Sequence, residues 1–437
     1  MQNQPYSIYV RYFFMALLFV TLWGTDIPFS RDFGEGEAET ASSGVNQLLY
    51  ISLFLVSVIY IFPVKREFFK IVKEEKFLFL FIMFSFISML WSDYSFLTFK
   101  RIFQVFVIYL SCVCFLIYVK DSDDIIKAFK VILFSYLILT ILAVLAIPAA
   151  RSGGQFMWRG FTTNKNVLGQ IGFLSVILSY IIYKKESAGI KKTFALCMIF
   201  LAVIITIGSQ SSTSFLIVVL LGGLGAISLM DSLFASIKIG KTISVISITS
   251  LFSLILGIMI VSPDLGTLLP ELFGKDITFS GRTFLWEFLI DIGNDHPMLG
   301  TGYGAFWIPE SERISSVHDV FTFLPGQAHN GYLDIFLASG YVGVGLLLLM
   351  LINYFLNLRH LSKPHPWILF IVAVLVANFQ ESSLLRTGHQ VNFFFMFAYL
   401  LAFVDRIKNF NWAPERIQTQ EIKMPVENKI NRFKRVT

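Results

Sequence analysis

Long apolar runs separated by short polar connections recur along most of this chain. A helix needs about 20 mostly apolar residues to cross a bilayer. On that criterion the pattern predicts roughly twelve spans, near 8–24, 46–63, 77–91, 98–118, 129–147, 166–183, 193–208, 213–229, 243–262, 330–356, 367–379 and 390–405, the third and eleventh being short. The prediction is therefore an all-α polytopic membrane protein in four parts. Nine spans fill 1–262, a long connection occupies 263–329, three more spans fill 330–405, and 406–437 is a polar, basic tail. The first run has no small-residue cleavage site and is followed by many others, so it reads as a retained helix rather than a removed signal.

Composition agrees. Of 437 residues, 55% are hydrophobic and only 15% charged, with mean hydropathy +0.69; a soluble domain carries roughly 25% charged residues. A disordered chain, a nucleic-acid-binding domain and an ordinary cytosolic enzyme are excluded. The net charge of +6 reports topology first, because cytoplasmic loops collect Lys and Arg. If the N-terminus is cytoplasmic, alternate loops hold Lys65, Arg66, Lys70, Lys73 and Lys76, then Lys120, Lys127 and Lys130, then Lys184, Lys185, Lys191 and Lys192, then Lys238 and Lys241, then Arg359 and Lys363, and finally the basic tail. The intervening loops are poorer in cations. The expectation is twelve spans with both termini inside. Cys112, Cys114 and Cys197 lie in apolar runs and read as small buried hydrophobes, without the further ligands a metal site needs.

Few charged residues remain on the outer side, and these are the candidates for chemistry. Arg159 and Lys165, with Asn166, stand in RGFTTNKN just before the sixth span, where free backbone N–H groups near a helix start suit an anion. A snorkelling Arg beside an ordinary polar loop explains them as well. The hydroxyl run Ser209–Ser214, including Ser211, can bond sugar or phosphate, or simply cap a helix. In the connection 263–329, Phe284, Leu285, Phe288, Leu289 and Ile292 form one helical stripe with Glu287 and Asp291 largely opposite, which suits a helix in the membrane interface. Arg282 opens that helix against the preference of its dipole. The glycines of Gly300-Thr-Gly302-Tyr-Gly304 read as tight turns, since no strand precedes them to make a nucleotide loop.

His329 and Asn330 meet the outer end of the tenth span. A lone His is usually structural, but this one shares a face with the outer Arg residues, and neutral imidazole is a natural proton acceptor. Asp334, about a turn further on, either orients His329 or packs against another helix; Gly340, Gly343 and Gly345 suit close helix packing. His296 and His318 have no comparable setting, while His360 and His365 fall on the inner face. Glu381 and Arg386 lie in the short connection after the eleventh span and read as a structural pair or as groups lining a cavity.

Three blocks together resemble one family. SGRTFLWEFLIDIGNDHPMLGTGYGAFW from Ser280, AHNGYLDIFLASGYVGVG from Ala328 and RGFTTNKNVLG from Arg159 resemble the O-antigen ligase and polysaccharide polymerase superfamily (Wzy_C-type), most of all its exopolysaccharide, ExoQ-like branch. The resemblance implies a GT-C-like bundle in a bacterial inner membrane, with a long periplasmic loop containing interfacial helices. It implies a metal-independent, inverting glycosyltransferase, without cofactor, that moves a glycan from undecaprenyl diphosphate to a sugar hydroxyl. Arg159 and Arg282 would then hold the diphosphate and His329 would activate the acceptor. Lys165, Asn166, Asn330, Ser211 and Glu381 would contact substrate. Partners would be the lipid-linked donor, the glycan acceptor and the bilayer, with a chain-length regulator as a further candidate and no nucleic acid. Many relatives carry a basic residue in the hydroxyl-rich motif; Ser209–Ser214 has none, so any phosphate contact there is a hydrogen bond.

The chemistry is consistent with this. A lipid diphosphate already leaves well, so the reaction needs cations where negative charge develops and a base near the attacking hydroxyl, not paired carboxylates. A polymerase and a ligase that delivers glycan to lipid A core use the same donor and differ in acceptor. A lipid-linked oligosaccharide transporter is the remoter alternative, since it would place ionisable groups in mid-membrane.

Overall fold

A computed structural model of the chain describes residues 6–23, 44–152, 157–186, 189–233, 279–321, 326–361, 366–410 and 412. Seven helices are long and apolar enough to cross a membrane: Gly44–Glu75, Ser95–Tyr118, Ser122–Ala146, Lys165–Lys185, Ile190–Ser209, Gly331–Leu358 and Gln390–Lys408. Four shorter apolar helices, Tyr9–Trp23, Phe77–Leu90, Ser212–Gly223 and Ile368–Ala377, complete the set among the described residues. Each coincides with a span expected from the apolar runs, and the ninth expected span lies outside the described residues. The chain is an all-α polytopic membrane protein.

In chain order the elements are α1 (Tyr6–Trp23), α2 (Gly44–Ile61), α3 (Lys65–Glu75), α4 (Phe77–Ile87), α5 (Ser95–Tyr118) and α6 (Ser122–Ala146). A two-stranded antiparallel hairpin, β1 (Arg151–Ser152) with β2 (Met157–Trp158), leads to α7 (Lys165–Lys185), α8 (Ile190–Ser209) and α9 (Ser212–Leu233). Then come α10 (Phe279–Gly293), α11 (Glu312–Val320), α12 (Gly331–Leu358), α13 (Ile368–Ala377) and α14 (Gln390–Lys408).

The core is built around α14, in which every residue from Val391 to Asp405 is buried. A helix apolar on all sides has to be surrounded, and here rings do the surrounding: Phe14 stacks on Phe115 at 3.8 Å between centroids, and Phe397 meets Phe14, Phe129 and Trp367. Small residues draw α7 against α8. A Cβ on Gly172 would lie 2.3 Å from the Thr206 hydroxyl, and one on Gly169 2.7 Å from Ser211 and Ser214, the close approach that membrane helices use in place of bulky interdigitation. At one end of the bundle, basic side chains are tied to their neighbours: Lys185 to Asp123 at 3.1 Å, Lys130 to Glu186 at 2.6 Å, and Lys408 to the carbonyls of Ile117 and Val119.

The stripe of α10 does not face outward as a whole. Leu285 and Leu289 are fully buried and, with Phe288 and Ile292, pack into a second small core with Phe306, Ile314, Val317 and Leu337. Phe284 and Ile290 remain exposed. The loop helices therefore form a cap that is docked on α12.

α12 departs from the continuous helix that its apolar run predicts. It is broken at Gly340, at φ 60° and ψ −164°. The expected bonds from Tyr341 and Val342 to Leu337 and Ala338 are replaced by a loop that enters the break. Thr301 and Gly302 N–H donate to the carbonyls of Leu337 and Ala338, both at 3.0 Å; Tyr341 and Val342 N–H donate to Pro297 and Met298, at 2.8 and 3.2 Å. Gly340 is thus a splice point rather than the packing residue expected of it. A Cβ there would stand 2.3 Å from the Met298 backbone, and one on Gly300 2.4 Å from Ala338 and Ser339.

Positive φ combined with a backbone clash leaves no room for a side chain at Gly340. Gly340→Ala should lower stability by about 1–3 kcal/mol, read as thermal unfolding of the detergent-purified protein. Gly345→Ala, where a Cβ meets nothing within 4 Å, should be neutral or stabilising by up to about 1 kcal/mol.

Candidate active site

The first segment of α12 begins where three chain segments meet. Asn330 caps the helix, its Oδ1 accepting from Tyr332 N–H at 3.1 Å and Leu333 N–H at 3.3 Å. The preceding His329 takes a left-handed backbone, φ 50°, which turns the loop sharply into the helix. Gly331 N–H donates to Asn378 O at 2.8 Å. A Cβ on Gly331 would collide with the Asn378 amide, so only glycine allows the α13–α14 connection to come this close. That connection is shaped from within, Asn378 Oδ1 accepting from Ser383 and Leu384 N–H. Glu381 is thereby delivered to His329.

Glu381 is nearly fully buried, and protein donors reach both of its oxygens. Gln327 Nε2 donates to Oε1 at 2.6 Å, and Asn166 Nδ2, from the first turn of α7, donates to Oε2 at 3.1 Å. His329 Nδ1 lies 3.6 Å from Oε2. Burial works against ionisation, but the hydrogen bonds and charge of His329, the Gln327 amide and the Arg282 guanidinium outweigh it and hold the carboxyl down to about 2. Glu381 is an anion throughout the physiological range.

Gln327 links this anion to Arg386. Its Oε1 accepts from Arg386 Nη1, and its Nε2 also lies 3.3 Å from His329 Nδ1. Arg can only donate and an ionised carboxylate can only accept, so the amide has one allowed orientation. Gln327 thus bridges Glu381 and Arg386, the two residues whose spacing suggested a pair. Asp334 is committed elsewhere: it accepts from Trp307 Nε1 at 2.7 Å and from Ala328 N–H at 3.3 Å. The carboxylate beside His329 is Glu381, not Asp334. Nearby His389 is pushed down to about 3 by burial and by the Arg386 charge, so it stays neutral.

Arg282 reaches the same place from α10, donating to Gln380 O at 3.2 Å. The Gln380 side chain in turn accepts from Thr213, which ties the hydroxyl run to the site. Ser211 itself is buried and bonds Ser214 at 3.1 Å over Gly169. Arg159 follows the β-hairpin; its Nε donates to Ala149 O at 2.6 Å, and its backbone and that of Gly160 bond Ala150 O. Lys165 Nζ lies 3.2 Å from Met157 Sδ. Among the described residues no cluster of three or more His, Cys, Asp or Glu has the arrangement to hold a metal.

A model of the Wzy_C family, described as O-antigen ligase, matches residues 168–348. That segment of the chain is therefore similar to the Wzy_C family. The match contains Ser211, Arg282, His329 and Asn330, whereas Arg159, Lys165 and Asn166 lie just before it and Glu381 follows it. The chain is also similar to the exopolysaccharide production protein ExoQ of Rhizobium meliloti (strain 1021), 32% identical over 135 residues. That similarity covers 29% of this chain and 31% of ExoQ, so it is a likeness of segments. Gln327 was not singled out by sequence pattern; its place two residues before His329, in QAHN, was the only available signal.

The depressed carboxyl makes a signed prediction. Its contribution to stability is present above the ordinary value of 4.5 and is lost as pH falls toward about 2. Glu381→Gln should destabilise by on the order of 3 kcal/mol at neutral pH. The gap in thermal unfolding between variant and parent should close progressively below about pH 4.5.

Proposed function

We propose that this protein is a metal-independent, inverting glycosyltransferase. It polymerises undecaprenyl-diphosphate-linked oligosaccharide repeat units into surface polysaccharide at the periplasmic face of a bacterial inner membrane, with both termini in the cytoplasm. The observation that carries this reading is a buried, ionised Glu381 set against His329, beside Arg282, within or next to the segment similar to Wzy_C. The lysine-rich helix ends at the other end of the bundle support the orientation.

In this mechanism Arg282 and Arg159 bind the diphosphate, whose oxygens match the planar guanidinium donors. The charge of Glu381, 3.6 Å from Nδ1, favours a proton on that nitrogen over acceptance of the 3.3 Å approach of the Gln327 amide, leaving Nε2 as the acceptor. The attacking sugar hydroxyl gives its proton to Nε2 while its oxygen bonds the anomeric carbon. The bond from that carbon to the diphosphate breaks on the opposite face, and the diphosphate leaves with the electron pair. Glu381 then stabilises the imidazolium. Glu381 thus positions His329, while the remaining lone pairs of its oxygens stay open to substrate. Asn166 supports Glu381, Asn330 supports the start of α12, and Ser211 supports the α7–α9 packing; Lys165 remains on the donor side.

A second reading, a ligase that passes the glycan to lipid A core, is favoured by the description of the matching family. Incubating purified protein with native lipid-linked repeat units separates the two. A ladder of longer lipid-linked products supports the polymerase, transfer only when lipid A core is supplied supports the ligase, and the absence of both products rejects the enzyme. Arg282→Ala and Arg159→Ala should each lower turnover by roughly 10²–10³-fold in normally inserted protein, and His329→Ala by roughly 10²–10⁴-fold. Undiminished polymer from Arg282→Ala would remove that residue from the mechanism.

A further inference from the structure

α3 is unlike every other described helix. It joins α2 to α4, so connectivity keeps it at the membrane boundary, at the end of the bundle remote from His329. Ile71 and Glu75 are buried on one side, with Phe68 and Val72 partly buried against the core. On the other side Lys65, Arg66, Phe69, Lys70 and Lys73 are all exposed, Phe69 at 64%. Helical geometry, at about 100° per residue, places those five within an arc of about 140° with the ring among the cations. Phe62, just before the helix, is 70% exposed, and Lys65 Nζ lies 5.4 Å from its ring centroid.

The formal charge of the segment conceals this surface. Residues 65–76 contain five basic and three acidic side chains. One of the three carboxylates is removed from the surface, Glu75 accepting from the Tyr109 hydroxyl inside the core, and a second, Glu74, is about a third exposed at the edge of the stripe and neutralised by Arg406 at 3.2 Å. The third, Glu67, is exposed near the helix start, where the dipole favours an acid. What α3 presents is a row of cations interleaved with aromatic rings, the pattern of a helix that seats rings among acyl chains and cations among phosphates.

We propose that the exposed stripe of α3 binds the headgroups of anionic phospholipids in the leaflet remote from the candidate active site, and so fixes the depth of the bundle in the bilayer. The recognising groups are Lys65, Arg66, Lys70 and Lys73, and the ligand class is a phosphodiester lipid with net negative charge. This surface does not depend on the catalytic reading. The burial of Glu75 and the pairing of Glu74 with Arg406 are what make it selective, because with both carboxylates free on the surface the same sequence would present near-balanced charge.

The test uses the full chain reconstituted in vesicles with a photoactivatable phosphatidylglycerol or, separately, a photoactivatable phosphatidylcholine, with labelled peptides mapped. The wild type should label the 62–76 segment at least about five-fold more with the anionic probe, the preference expected of one fully effective cation. Raising salt toward 1 M should shrink that ratio. K65Q/R66Q/K70Q/K73Q should bring it close to one, whereas K65R/K70R/K73R should keep it. If the quadruple variant does not fold, K65Q/R66Q and K70Q/K73Q each carry the test and should at least halve the ratio. Equal labelling by both probes in the wild type, an unchanged ratio in the Gln variants, or loss of preference in the charge-conserving variant overturns the proposal. Equal labelling would leave the stripe to an acidic protein partner.

Discussion

Inside a bilayer a backbone N–H or C=O has no water to turn to, and each unsatisfied group costs several kcal/mol. The break in α12 meets that constraint with backbone from elsewhere in the chain. Four peptide groups freed at Gly340 are matched by four from residues 297–302, in register, so that a loop completes the helix it interrupts. Much else follows from that arrangement. Gly300 and Gly302 adopt positive φ so that the loop can come within bonding distance, and the loop in turn rests on the α4–α5 connection, where Tyr303 N–H donates to the Ser88 hydroxyl, and on α5, where Arg101 donates to Gly304 O.

The splice also separates two tasks within one helix. Beyond Gly340, α12 runs as an apolar span. Before it, a segment of roughly two and a half turns is anchored at its far end by the loop and at its near end by Asn330 and the Gly331–Asn378 bond. A short segment held at both ends has little freedom to shift. His329 is fixed at its start, and the relay of Arg386, Gln327 and Glu381 is assembled around it from two connections that lie far apart in sequence.

The placement of the described spans was legible in the sequence because desolvation imposes a length and a polarity on each, whatever its neighbours. Arg159, Arg282 and His329 stood out as candidates because charge at a membrane boundary is rare enough for each instance to be noticed. Relations between residues were less accessible. Glu381 and Arg386, five apart, suggested a pair; a buried glutamine from another loop also bridges them, and no local pattern reports that. Asp334, a turn beyond His329, was the plausible orienting acid, but Trp307 claims it. The apolar run through Gly340 looks continuous because the loop that breaks it is about forty residues away, and hydropathy carries no record of where backbone bonds end.

The splice bears on how such a chain can change over evolutionary time. Residues 297–302 touch α12 on both sides of Gly340, so one inserted or deleted residue between Met298 and Thr301 would put the two sets of bonds out of step, and no side-chain exchange could restore them. Among the described residues, 309–321 carry no such double backbone attachment to α12. Length variation that reshapes the cap has room there, whereas the glycine loop behaves as a ruler whose markings cannot move.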